Sequence, residues 1–106
     1  RLHIISEGDF VFEDMGLMAR IVELPGHTAD SVGLHLTDSN VIFCGDAAMN
    51  RPFLNANRHT VFIENIKEFQ ASWDKIIALN PTYIYPGHGK AFPVSDLKKY
   101  RAYLSE

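Results

Sequence analysis

Val41-Ile42-Phe43-Cys44 is apolar at every position and runs straight into Gly45-Asp46. A strand with one wet face alternates apolar and polar side chains, so an unbroken apolar run predicts a strand covered on both faces. That requirement sets the layering, because something must lie above this strand and something below it. The chain has 106 residues, enough for one domain with a modest core. Two short helices in its second half can cover one face of a sheet. The cover for the other face is not evident in the remaining residues.

The first half reads as a meander. Leu2 to Ile5, Phe10 to Phe12, Ala19 to Leu24, Ser31 to Leu36 and Val41 to Cys44 are strand-like runs. Turn signals at Glu7-Gly8-Asp9, Met15-Gly16, Pro25-Gly26 and Thr37-Asp38-Ser39-Asn40 separate them. From Ile66 the period changes: Ile66, Phe69, Trp73, Ile76 and Ile77 recur at helical spacing. Asn65 with Glu68 three residues on predicts an N-cap, and Asn80-Pro81 predicts the stop. Tyr83 to Tyr85 is a short strand. Ser95 is the expected cap of a last helix with Leu97, Tyr100 and Leu104 on one face.

Composition narrows the function classes. Hydrophobic residues make up 46% of the chain and the net charge is −3, with both signs mixed. That is a globular composition without a basic nucleic-acid footprint. No apolar run is long enough to span a membrane. The single cysteine, Cys44, excludes an internal disulfide and fits a reducing compartment, so the expected location is cytoplasmic. The chain opens on Arg1, which suggests a piece of a longer polypeptide.

Three turns carry side chains that bind metals. His27 follows Pro25-Gly26, Asp46 follows Gly45, and His88 follows Pro86-Gly87. Each comes directly after a predicted strand. Imidazole nitrogen and carboxylate oxygen suit zinc or iron, and a carboxylate can bridge two ions. If the strands are neighbours, their C-terminal ends bring the three side chains together along one edge of the sheet. Taken singly, each of these is as easily a plain structural turn.

The other candidates have plainer readings. His3 and His35 lie within strand runs and are expected to be packed or solvated, and Cys44 to be a buried core thiol. Trp73 belongs to the helix core, and Lys98, Lys99 and Arg101 to a solvated helix face. His59, beside Arg58 in the polar stretch after Asp46, is a candidate substrate contact. No residue of this chain is assigned a catalytic proton-transfer role.

Pro25-Gly26-His27-Thr28, Gly45-Asp46 and Tyr85-Pro86-Gly87-His88-Gly89 together resemble the metallo-β-lactamase fold superfamily, in that family's order and spacing. The resemblance implies an α+β fold. It is half of a four-layer αββα sandwich, a mostly antiparallel sheet with two helices on one face, spanning residues 1–106 as a single domain. It also implies roles: His27 on the first metal, Asp46 bridging both, His88 on the second. The expected cofactor is zinc, dinuclear in a complete protein, with iron or manganese as alternatives. The implied activity is hydrolysis of an ester, thioester, lactone or amide by a metal-bound hydroxide. The family's upstream His-x-His-x-Asp-His element has no counterpart in this chain, so the resemblance implies a C-terminal part truncated before its first metal motif. The family often has glycine where Asp30 stands, so the turn after His27 is expected to differ.

The chain by itself is therefore expected to bind metal weakly and to be inactive. The expected partners are a small-molecule substrate in the complete protein, neither nucleic acid nor membrane, and a second copy of the chain. A homodimer would cover the bare sheet face. A non-catalytic structural or protein-interaction half-domain is the alternative reading.

Overall fold

The computed structural model describes residues 2–6, 9–14, 17–29, 31–51, 57–60 and 62–104. Among them one sheet of seven strands runs in chain order. The strands are β1 (Leu2–Ser6), β2 (Asp9–Asp14), β3 (Leu17–Glu23), β4 (Val32–Leu36), β5 (Val41–Gly45), β6 (Tyr83–Pro86) and β7 (Phe92–Pro93). Pairing is antiparallel from β1 through β5, parallel between β5 and β6, and antiparallel again to β7. The expected meander is present. The turns at Glu7-Gly8 and Met15-Gly16, the position of Asp30 and the stretch 52–56 lie outside the described residues.

Helix α1 (Ile66–Leu79) connects β5 to β6 and makes their parallel pairing possible. It starts as the sequence predicts, with Asn65 Oδ1 accepting from the Glu68 backbone N–H at 3.0 Å. It stops at Asn80, whose left-handed backbone (φ 49) lets its N–H reach the Ile76 and Ile77 carbonyls. Helix α2 (Val94–Tyr100), extended by a 3-10 turn over Arg101–Tyr103, departs from expectation at its start. Ser95 does not cap it. Pro93 occupies the cap without a side-chain hydrogen bond, so Ser95 already lies inside the first turn. The cause is β7, too short to show a strand period, which carries the chain straight into the helix.

Both helices pack on one face of the sheet. Val22, Leu24, Ile42, Cys44 and Ile84 from that face meet Phe69, Trp73 and Ile76 of α1 and Leu97 of α2 in one buried cluster. Leu104 joins the cluster and Tyr100 packs against it, as the expected α2 face requires. Trp73 donates its indole N–H to the Ala47 carbonyl at 2.7 Å, tying α1 to the turn after β5. His35 is packed against this side and bonds Asn40 Oδ1 at 3.0 Å. The C-terminal basic residues are less free than expected: Arg101 forks onto both Asp74 oxygens at 2.7 and 3.0 Å.

Among the described residues, the opposite face keeps large apolar side chains exposed. Strand register aligns Ile21, Leu34, Phe43 and Tyr85 in one row across β3 to β6. Phe43 and Tyr85 stack with ring centroids 4.9 Å apart, yet remain 43% and 41% exposed. Val32 and Tyr83 are also exposed. The all-apolar strand is thus half satisfied, with Ile42 and Cys44 buried under the helices and Phe43 looking outward. No helix among the described residues is long and apolar enough to cross a membrane.

Cys44 is fully buried, and burial pushes its thiol from 9.0 up to about 12. The unfolded chain therefore gives up this proton first as pH rises. Its contribution to stability is complete below about pH 9 and is lost between there and about pH 12, by about 1.4 kcal/mol per pH unit. Denaturant melts over this range should show that slope in the native chain and lose it in Cys44→Ala. Equal slopes in the two proteins would refute the assignment.

Candidate metal centre

Strand direction places the candidate ligands. β3 and β5 both run antiparallel to β4, and β6 runs parallel to β5. These three strands therefore end at the same edge, and the turns bearing His27, Asp46 and His88 follow them.

The His27 turn is held from below by α1. Asn65 donates its N–H to the Gly26 carbonyl at 2.9 Å, and Ser72 donates its hydroxyl to the Pro25 carbonyl at 2.6 Å. Gly26 sits at φ +135, and a Cβ there would lie 2.4 Å from the Phe69 backbone. Only glycine allows the turn to lie this close to the helix. The other two turns are joined to each other, Gly87 N–H to the Gly45 carbonyl at 2.8 Å. The Asp46 carboxylate crosses Gly87 so closely that a Cβ would stand 2.8 Å from its Oδ1.

The three side chains meet as two pairs sharing one carboxylate. His27 Nε2 lies 3.7 Å from Asp46 Oδ2, and His88 Nε2 lies 3.6 Å from Asp46 Oδ1. Both separations exceed hydrogen-bond length. Two ligand atoms about 2.0–2.2 Å from one tetrahedral ion stand roughly 3.4 Å apart, slightly closer than either pair. Each histidine faces a different oxygen, so the set does not close around one ion. Accordingly, no group of three or more such side chains among the described residues makes a metal-holding set on its own. The arrangement suits one carboxylate spanning two ions, each with further ligands from elsewhere.

His27 shows the stronger preparation. Its Nδ1 lies 2.6 Å from the Phe62 carbonyl oxygen. A carbonyl only accepts, so Nδ1 carries a proton, and in the neutral tautomer this leaves the lone pair on Nε2, the atom nearest Asp46. The Phe62 ring meets the imidazole edge-on, with centroids 5.9 Å apart. Sequence reading missed Phe62, because any residue supplies a carbonyl and nothing in its identity marks this one. His88 is the more open of the two histidines, its side chain 53% exposed against 19% for His27. His59 is half-buried and its Nδ1 faces the Thr60 carbonyl at 3.4 Å.

The chain is 35% identical over 96 residues to the beta-lactamase-like protein 2 homolog of Caenorhabditis elegans, covering 91% of this chain and 29% of that protein. It is 33% identical over 79 residues to an atrochrysone carboxyl ACP thioesterase of Aspergillus fumigatus, covering 74% of this chain and 23% of the relative. The chain therefore spans less than a third of the length of either. Its fold is similar to that of an archaeal metallo-beta-lactamase superfamily protein from Sulfolobus tokodaii, with TM-score 0.75 and 21% identity. That match covers 97% of this chain and 40% of the archaeal one. The family description "Metallo-beta-lactamase superfamily" matches residues 2–88. With its fold, its Pro-Gly-His and Gly-Asp turns and that match in agreement, the chain belongs to the metallo-β-lactamase superfamily.

Proposed function

We propose that this chain is the part of a metal-dependent hydrolase that contributes a bridging carboxylate and one histidine to each of two ions. The observation that carries the reading is the orientation of Asp46, one oxygen toward His27 and the other toward His88. Zinc fits this nitrogen and oxygen donor set, and iron or manganese are the alternatives. An ion held here supplies Lewis acidity, which makes water a nucleophile at neutral pH and polarises a carbonyl. Asp46 sets the spacing, His27 holds a fixed lone pair through its Phe62 hydrogen bond, and His88 lies toward solvent where substrate enters. His59 offers a polar contact to that substrate. An ester, thioester, lactone or amide is the substrate class, and the name of the Aspergillus relative favours a thioester. In a chain extended to the length of its relatives, thioester hydrolysis should stop on chelation and return with added zinc, iron or manganese. Hydrolysis indifferent to chelation would sink this reading.

The bare sheet face supports a second proposal, a homodimer in which each copy covers the other's Phe43, Tyr83 and Tyr85. A self-complementary patch pairs about a two-fold axis. Phe43→Lys places a charge in the centre of that interface, so sedimentation should show a dimer for the native chain and a monomer for the variant. A native chain that sediments as a monomer removes the proposal. Dimerisation without any metal uptake would instead favour a structural half-domain.

A further inference from the structure

We propose that Thr60 is a positioning residue for His27, acting through the Phe62 carbonyl. This rests on the reading of His27 as a metal ligand. The Phe62 carbonyl oxygen accepts two short bonds, from His27 Nδ1 at 2.6 Å and from the Thr60 hydroxyl at 2.6 Å. A carbonyl has two lone pairs, and both are used here. Thr60 is 3% exposed, so its hydroxyl is committed to this bond without competition from bulk water.

The segment bearing Thr60 is itself anchored. Two residues earlier, Arg58 bonds Asp96 Oδ2 through Nε at 3.1 Å and through its terminal nitrogen at 3.0 Å. Its guanidinium carbon lies over the Phe92 and Tyr100 rings, 5.3 and 5.8 Å from their centroids. The Arg58 carbonyl accepts from the Met49 N–H at 2.8 Å, close after Asp46 in sequence. A continuous strut thus runs from α2 through Arg58 and Thr60 to the Phe62 carbonyl and the His27 ring. Turning that carbonyl away would remove the acceptor that keeps the His27 proton on Nδ1, and Nε2 would then carry a proton in part of the molecules. A protonated Nε2 cannot bind a metal ion.

The test reads the His27 tautomer by long-range proton–nitrogen NMR of the 106-residue chain at about pH 8, above the ordinary histidine range. The native chain should hold His27 with the proton on Nδ1. Thr60→Val keeps the shape and deletes the donor, and should give a mixture in which the Nε2–H form grows. Thr60→Ser retains the hydroxyl and should keep the native tautomer. Thr60→Ala should repeat the valine result if the valine variant fails to fold. Zinc affinity should fall about 10–100-fold in the valine or alanine variant and stay near native in the serine one. A native His27 with its proton on Nε2, or a donor-less variant with native tautomer and native affinity, would overturn the proposal. If the native chain takes up no zinc, the affinities are compared in a chain extended to the length of its relatives, and the tautomer comparison still decides the role of Thr60.

Discussion

Asp46→Asn should lower the affinity of this chain for zinc by at least about a hundredfold, beyond the 10–100-fold range typical of outer-shell changes. The argument is local. Asp46 presents one anionic oxygen to each histidine, at 3.7 and 3.6 Å. Asparagine replaces one oxygen with an NH₂ group, which has only donors and cannot ligate a cation. Whichever way the amide turns, one histidine loses its partner ligand and the remaining oxygen is neutral. The fold should hardly notice, because the Asp46 side chain is 40% exposed and the turn is kept by the bond from Ala47 N–H to the Cys44 carbonyl. Titration calorimetry of both proteins, with melting curves as the control, checks this. Unchanged zinc affinity would show that Asp46 does not bridge.

Gly26→Ala should produce a large loss of stability. The new Cβ would fall within 2.4–2.5 Å of the N, Cα and Cβ of Phe69, at a backbone angle of φ +135. None of the three is the flexible end of a side chain, so the turn or helix α1 must shift. Overpacking and a strained backbone each cost about 1–3 kcal/mol, against about 5–15 kcal/mol for the stability of a domain this size. A fall in Tm of roughly 10–25 °C is expected. Gly87→Ala is the instructive contrast. Its nearest obstacle is the Asp46 carboxylate oxygen at 2.8 Å, which can swing aside, with the Gly45 backbone at 3.1–3.2 Å giving slightly. This variant should melt much closer to the native chain yet bind zinc more weakly. Near-equal melting of Gly26→Ala and the native chain would refute the packing argument.

The two glycines also show what could be read from the chain alone. Pro-Gly-His and Gly-Asp turns after strand-like runs were legible, because ligand chemistry belongs to the side chain and the neighbouring glycines mark sharp turns. The helix α1 ends were legible for the same reason, since Asn65 and Asn80 carry their capping chemistry in their own residue types. Thr60 and Phe62 were not, because a backbone carbonyl is common to every residue and only the folded path brings it to His27. The two-residue β7 is shorter than any period, and missing it led to the wrong cap at Ser95. Val41 to Cys44 announced a need for cover on both faces. The row through Ile21, Leu34, Phe43 and Tyr85, however, emerges only from strand register.

The parallel pairing of β5 with β6 has a kinetic consequence. Neighbours from β1 to β5 can meet through short hairpin closures, whereas β6 reaches β5 only after α1 and its flanking segments have been brought round. Closing the longer loop costs more chain entropy before any contact rewards it. Asp46 and His88 stand on opposite sides of that closure. Their meeting is therefore expected late in refolding, and an ion that needed both would arrive at a nearly finished domain and lock it rather than guide its assembly.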